Sequence, residues 1–328
     1  MTRGRATEKI TCDLCPHNCK VAESHFGICG VRKNRGGSII LDTYGKISSY
    51  GVDPIEKKPL YHFFPGRSIL SIGSFGCNFK CLFCQNHSIS QVSGINEGRK
   101  IEPMKIVDDA LTHNDNIGIA FTYNEPIVWY EYVRDIATIS HRRGLKNVMV
   151  SNGFINPDPL KRLLPLIDAW NIDLKSFSDE FYRKRCGGSL YPVLKTMEAV
   201  KAAGKHLEVT TLIIPGANDS TDEIGAIARW LADNTGRETP LHISRYFPRY
   251  RSSEPPTPPE TIAGLYNEAS KYLSWVYTGN IDIENSSNTV CPSCGTICST
   301  RTGYKTSHLQ ITGDGRCKKC NFKVYSFL

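Results

Sequence analysis

Cys77, Cys81 and Cys84 stand in the run Gly76-Cys77-Asn78-Phe79-Lys80-Cys81-Leu82-Phe83-Cys84-Gln85-Asn86, a C-x3-C-x2-C spacing. Three thiolates on one tight loop can hold three irons of a [4Fe–4S] cluster. An electron-carrying cluster of ferredoxin type takes four cysteines, and the next one here, Cys186, lies 102 residues further on. Three ligands leave one iron open, and an open position on a metal is where a substrate or cofactor binds. The amino and carboxylate groups of S-adenosylmethionine suit that position. One electron from the cluster then breaks the sulfonium C–S bond and releases a 5′-deoxyadenosyl radical.

Twelve of the 13 cysteines fall in three clusters. Cys291-x2-Cys294 and Cys317-x2-Cys320 are separated by 22 residues. They read as the two knuckles of a zinc ribbon, with iron in a rubredoxin-like site as the second choice. Residues 286–328 number only 43, too few for a sizeable core, so a metal should supply folding energy. Cys298 is surplus to that site. At the other end, Cys12, Cys15, Cys19 and Cys29 follow a C-x2-C-x3-C-x9-C pattern. A second [4Fe–4S] cluster and a zinc ion both fit it, with His17 and His25 as alternative ligands. Cys186 stands alone and reads as a buried structural thiol.

The elements that must position these groups have a clear rhythm. Short runs rich in Ile, Val and Leu predict buried strands at Ile69–Gly73, Gly118–Thr122, Asn147–Ser151, Ala169–Leu174, Leu207–Ile214 and Pro240–Ser244. Helical patterns predict helices at Pro103–His113, Pro126–Arg143, Asp158–Ile167, Tyr191–Ala203, Thr221–Asn234 and Glu260–Leu273. Alternation of this kind implies an α/β fold with parallel strands and helical crossovers. A doubly wound sheet and a partial (β/α)6 TIM-like barrel both fit, and in either the chemistry collects at the C-terminal ends of the strands. The expected organisation is a cysteine-rich extension over 1–36, a core over 37–285 and a zinc-ribbon-like module over 286–328.

The cysteine loop, with Phe83 before its third cysteine, resembles that of the radical S-adenosylmethionine superfamily. The resemblance implies a partial (β/α)6 barrel with the loop after its first strand. A narrower resemblance spans almost the whole chain, to the radical enzymes of the AmmeMemoRadiSam system, which are similar to pyruvate formate-lyase activating enzymes. It rests on Cys12-Asp13-Leu14-Cys15-Pro16-His17-Asn18-Cys19, Ile28-Cys29-Gly30-Val31-Arg32, the lead-in Asp53 to Phe63, Cys84-Gln85-Asn86, Thr122-Tyr123-Asn124-Glu125-Pro126, Asp173-Leu174-Lys175 and His242-Ile243-Ser244-Arg245. Carried over position by position, it implies Cys77, Cys81 and Cys84 as cluster ligands. Phe83 and Gln85 then belong to the segment that meets the adenine. Asn124 and Glu125 fall where a Gly-Gly-Glu motif receives the methionyl ammonium, with Tyr123-Asn124 in place of the two glycines. Asn152 is implied at the ribose or carboxylate, and Asp173, Lys175 and His242 at the cofactor.

Charge and composition bound the remaining functions. Residues 1–36 hold seven Lys/Arg against three Asp/Glu, and residues 286–328 hold six against one. Basic residues beside metal-bound thiolates account for such ends as well as a nucleic-acid footprint does. The loop Arg245-Tyr246-Phe247-Pro248-Arg249-Tyr250-Arg251 mixes stacking and charge, which fits RNA or a protein substrate at the mouth of the fold. No apolar run reaches membrane-span length, the first residues show no signal peptide, and P-loop, HExxH and GxGxxG motifs are absent. The expected protein is a cytoplasmic radical enzyme with a protein or RNA substrate, which the resemblance narrows to a glycyl position. It is fed electrons by ferredoxin or flavodoxin. An iron–sulfur electron carrier and a zinc-dependent nucleic-acid binder are the alternatives.

Overall fold

The computed structural model describes residues 9–95 and 98–328. The reading of residues 1–8 as lacking an apolar leader, and the charges of Arg3 and Arg5, lie outside the described residues. The central sheet has eight strands: β1 (Ser49–Pro54), β2 (Ser68–Gly73), β3 (Asn116–Phe121), β4 (Lys146–Ser151), β5 (Ala169–Asp173), β6 (His206–Ile213), β7 (Leu241–Arg245) and β8 (Val276–Gly279). β2 to β8 are parallel, and β1 runs antiparallel along the edge beside β2. Their order in the sheet is their order in the chain, without reversal. A doubly wound sheet reverses at a switch point, and this one does not. All six expected strands are present. The two added ones lie at the edges, where Gly51 and Pro54 in β1 and the shortness of β8 blunted the apolar signal.

The crossovers are α1 (Pro103–Thr112), α2 (Tyr130–Arg142), α3 (Pro157–Leu163), α4 (Leu190–Ala202), α5 (Thr221–Asn234) and α6 (Pro259–Ala269). α2 buries Tyr132, Val133, Ile136, Ala137 and Ser140, the spacing of one helical face. α5 starts at a side-chain N-cap: Ser220 Oγ accepts from Glu223 N at 3.2 Å. The helices expected at 126–143 and 158–167 each contain a 3₁₀ turn, at Pro126–Trp129 and Leu164–Leu166. Pro165 lacks the N–H that a continuous α-helix would need there.

Both cysteine-rich ends pack onto this core. Strand pair Arg32–Arg35 and Ser38–Leu41 forms a hairpin that straddles the expected boundary at 36/37. Arg32 makes a bidentate pair with Glu131 of α2, 2.7 Å at each nitrogen. Cys12, Cys15 and Cys29 are buried in the same apolar cluster as the barrel strands. At the C-terminus, β9 (Thr289–Val290), β10 (Ile297–Thr302) and β11 (Lys305–His308) form a small antiparallel sheet. It shares an apolar cluster with Tyr61, Trp275 and Tyr277. Arg301 crosses the joint, donating to Tyr61 O at 2.9 Å.

Candidate active site

β2 ends at Gly73, and the cysteine loop begins there. Gly76 takes φ +82° beneath Cys29, whose carbonyl would lie 2.5 Å from any Cβ placed on it, so only glycine fits. The side chain of Asn124 grips the loop's start: Oδ1 accepts from Ser74 N at 3.0 Å, and Nδ2 donates to Gly76 O at 2.9 Å. Tyr123 stands at φ +72°, a backbone conformation that glycine adopts freely and tyrosine rarely does. Its hydroxyl donates to Asp53 Oδ2 at 2.7 Å, and its ring lies under the Lys58 ammonium at 4.7 Å. The departure from Gly-Gly thus keeps the glycine-like backbone and fixes it with a side-chain clamp. Asp53 also binds Lys57 at 2.8 Å and Lys58 at 2.7 Å. Against the cost of burial, these donors hold its carboxyl well below the usual carboxylate range.

The carboxylate of Glu125 is buried. Oε1 accepts from Ile127 N at 3.0 Å and Ser151 Oγ at 2.7 Å, and Oε2 accepts from Asn152 N at 2.8 Å. Burial outweighs these donors and pushes the carboxyl up to about 7. Asn152 Nδ2 donates to Asn78 Oδ1 at 2.8 Å and lies 3.9 Å from Cys77 Sγ. Phe79 N donates to Cys77 Sγ at 3.3 Å, one of the hydrogen bonds a cluster thiolate needs.

The other side of the loop is clamped by the segment after β5. Lys80 N donates to Cys186 O at 2.7 Å, and Leu82 N donates to Arg185 O at 3.0 Å, so Cys81 is held between them. Gly188 lies against Phe79, whose ring would be 2.2 Å from an added Cβ. Asp173 and Lys175 form an ion pair at 2.8 Å at the end of β5. Burial works to lower the Lys175 ammonium, but Asp173 and the neighbouring Cys81 hold it above its ordinary range. Beside the loop lies a cavity of about 300 Å³, lined by Phe83, Gln85, Leu212, Arg245, Phe247 and Asn280. A larger one, about 370 Å³, lies between His62, His206, Trp275 and Phe327 at the C-terminal module, away from these groups.

The fold therefore brings Asn124, Glu125, Asn152, Asp173, Lys175, Phe83 and Gln85 to the cysteine loop. His242 lies among a different set of partners. It stands near the start of β7, where Nε2 bonds Glu208 Oε2 at 2.7 Å and the ring packs on Tyr61 and Tyr277 at 4.8 and 5.4 Å. These contacts belong to β6, the lead-in and β8, and position 242 precedes the strand's C-terminal end by three residues. The expected mouth loop is part rim and part anchor. Tyr246 is buried, Arg251 N donates to Leu82 O at 2.9 Å, and Tyr250 stacks on His87 at 4.7 Å. Sequence reasoning missed the Asp53–Lys58–Tyr123 clamp, Cys186 beside Cys81, and Glu208. A lone carboxylate in an apolar strand, Leu207-Glu208-Val209, was the signal for the last.

In the C-terminal module, Cys291, Cys294, Cys317 and Cys320 place their sulfurs within 4.8 Å of one another, with Cys291–Cys320 at 3.5 Å and Cys294–Cys317 at 3.7 Å. Bonds of about 2.3 Å to one tetrahedral ion give sulfur–sulfur edges of roughly this length. This cluster can hold a metal ion. Cys298 is buried beside it, and burial pushes its thiol up to about 12.

The model of the Radical SAM superfamily matches residues 71–231, and the chain belongs to that superfamily. It is 41% identical over 320 residues to "Uncharacterized protein MJ0808" of Methanocaldococcus jannaschii, covering 96% of this chain and 95% of that one. It is 23% identical over 165 residues to the pyruvate formate-lyase 1-activating enzyme of Escherichia coli (strain K12). That match covers 48% of this chain and 66% of the relative's length. The fold is shared with Streptococcus suis SuiB bound to S-adenosylmethionine, TM-score 0.52 at 14% identity, over 72% of this chain and 55% of that one. Membership makes the chain an enzyme and implies a [4Fe–4S] cluster and S-adenosylmethionine. The three cysteines on one loop, with Phe79 N–H on Cys77 and a cavity alongside, fit both. Among the described residues, no helix is long and apolar enough to cross a membrane.

Proposed function

We propose that the chain takes a hydrogen atom from a glycyl position of a protein partner, with S-adenosylmethionine as the radical source. The observation that carries this reading is the clamped cysteine loop at the strand ends, with an ion pair and a cavity beside it. Cys77, Cys81 and Cys84 would hold the cluster, which when bound supplies the electron that cleaves S-adenosylmethionine to a 5′-deoxyadenosyl radical. Phe83 and Gln85 line the space suited to the adenine. Asp173 and Lys175 offer one charge of each sign to the ribose and carboxylate, and Asn152 reaches the same side. Glu125 is the carboxylate for the ammonium, and Asn124 acts through the loop it grips. Likeness to the activating enzyme supports the protein substrate, and reduced flavodoxin or ferredoxin would deliver the electron. The partial barrel of βα units and a zinc-ribbon-like C-terminal module complete the reading.

The test is anaerobic protein with S-adenosylmethionine and dithionite. Formation of 5′-deoxyadenosine is expected, and Cys81→Ala should reduce it at least 100-fold. Equal rates in the variant would sink the reading. Hydrogen abstraction from a glycyl peptide is read by deuterium transfer into 5′-deoxyadenosine.

Glu125 gives the binding a pH signature. An ammonium needs the ionised carboxylate, and the free carboxyl sits at about 7. Affinity for S-adenosylmethionine is therefore expected to weaken as pH falls through 7, approaching tenfold per unit below it. Glu125→Gln should flatten this profile, which isothermal titration from pH 6 to pH 8 would show.

A further inference from the structure

The four N-terminal cysteines are built for thiolates, and their geometry separates two metals that the spacing alone leaves level. Cys12, Cys15 and Cys29 are buried and Cys19 is half-buried. Backbone N–H groups are aimed at three of the four sulfurs. Ile28 N donates to Cys19 Sγ at 3.5 Å, His17 N faces Cys15, and both Val31 N and Arg32 N face Cys29. Such donors favour a metal-bound thiolate over a neutral thiol. A side chain adds to them. Arg32 is 7% exposed and its terminal nitrogens are spent on Glu131, yet its Nε is buried with no partner, and the guanidinium lies close to Cys12 and Cys29. A buried unpartnered donor beside thiolates is what an acceptor brought by a ligand would satisfy.

Size then distinguishes the ligand. Among the described residues, only the C-terminal cysteines are gathered within 4.8 Å, the spacing of one tetrahedral ion. The N-terminal cysteines lie near one another but form no group of that spacing, and a four-iron cluster, which seats each thiolate on its own iron, does not need one. The described hydrogen bonds of the two candidate histidine ligands go elsewhere: His17 Nε2 lies 2.8 Å from Asn78 O, and His25 Nδ1 lies 2.9 Å from Glu23 O.

We propose that Cys12, Cys15, Cys19 and Cys29 hold a second iron–sulfur cluster of the four-iron class, fully ligated by cysteine. Full ligation leaves no open iron for a substrate, so the cluster passes electrons. Its place suits this: the Cys29 carbonyl abuts Gly76, and His17 is tied to Asn78, so the N-terminal segment flanks Cys77 on both sides. One electron from a reduced flavodoxin reduces the N-terminal cluster, and the same electron moves on to the cluster at Cys77, Cys81 and Cys84. The electron path rests on the radical reading; the metal assignment does not.

The full chain is purified anaerobically as wild type and as the variant Cys77→Ser/Cys81→Ser/Cys84→Ser, and iron, sulfide and zinc are counted. About eight irons are expected in the wild type and about four in the triple variant, with a reduced spectrum indifferent to S-adenosylmethionine. Adding Cys15→Ser should remove the remaining iron. An iron-free triple variant carrying two zinc ions, one lost with Cys15→Ser, overturns the proposal. If the triple variant does not fold, Cys15→Ser alone decides: about four irons must remain where the wild type has eight. That single variant should cleave S-adenosylmethionine with dithionite but lose at least tenfold with reduced flavodoxin, and equal rates overturn the electron path. Eight irons without cleavage would fail the radical reading alone. Four irons with cleavage intact would fail the second cluster alone.

Discussion

If Cys291, Cys294, Cys317 and Cys320 hold a metal ion, as their spacing allows, chelating it is expected to melt residues 289–328 and to lower the thermal transition of the whole chain. The module's sheet has strands of two, six and four residues, and its apolar cluster borrows Tyr61, Trp275 and Tyr277 from the barrel. Sites of this kind draw about 10–16 kcal/mol of apparent folding free energy from zinc in small peptides. Ligation replaces protons on the thiols, and Cys294 is prepared for it: hydrogen bonding with Thr296 pushes its thiol down to about 6. The barrel should feel the loss, because the module covers its lead-in through Arg301 on Tyr61 O, His62 against Val324 O at 3.2 Å, and the Phe63–Phe327 bridge. Metal analysis and calorimetry before and after chelation check this, with Cys317→Ser as the variant that should arrive metal-poor. A chelated chain that keeps its transition temperature would show that the module folds without the ion.

Glu208→Ala is expected to cost about 3–5 kcal/mol, as removal of one partner from a buried charged network does. The carboxylate is fully buried and accepts four donors: Tyr61 N at 2.9 Å, His62 N at 2.7 Å, His206 Nε2 at 2.9 Å and His242 Nε2 at 2.7 Å. Truncation leaves the buried Tyr61 and His62 N–H groups without their acceptor. Glu208→Gln should cost less, since its carbonyl still accepts while its amide meets donors. Burial works to raise the Glu208 carboxyl, but hydrogen bonds from His206 and His242 hold it well below its ordinary value of 4.5. A depressed carboxyl stabilises the fold fully above its unfolded pKa, and that stability is lost as pH falls below 4.5 toward the folded value. Urea unfolding at pH 7 should show the full loss in the variant, and the gap from wild type should narrow under acid conditions. A gap that widens toward low pH would mean that the carboxylate is not the source.

The two networks explain why part of the site was legible and part was not. Cys77, Cys81 and Cys84 announce themselves because one tight loop must supply all three ligands, so the chemistry is local in sequence. The βα rhythm is legible for a similar reason: the buried strands are largely apolar runs, and several helix starts carry their own signal, such as Ser220 at α5 and Pro157 at α3. Asn124, Glu125, Asn152, Asp173 and Lys175 were expected from the resemblance and from their places at strand ends. The Glu208 partner of His242 was not legible, because strand membership does not say which neighbouring side chains a residue meets.

Sequence alone determined the class of chemistry, the cysteine sets and the parallel α/β core, since short-range spacing and periodicity encode all three. Tertiary structure decided the unreversed strand order, the pairing of His242 with Glu208, and the Tyr123 clamp on a glycine-like backbone. It also set Cys186 against Cys81 and the N-terminal cysteines against Gly76. Each of these depends on contacts between residues tens to hundreds of positions apart. Such contacts are fixed by how strands register and close, which no local pattern records.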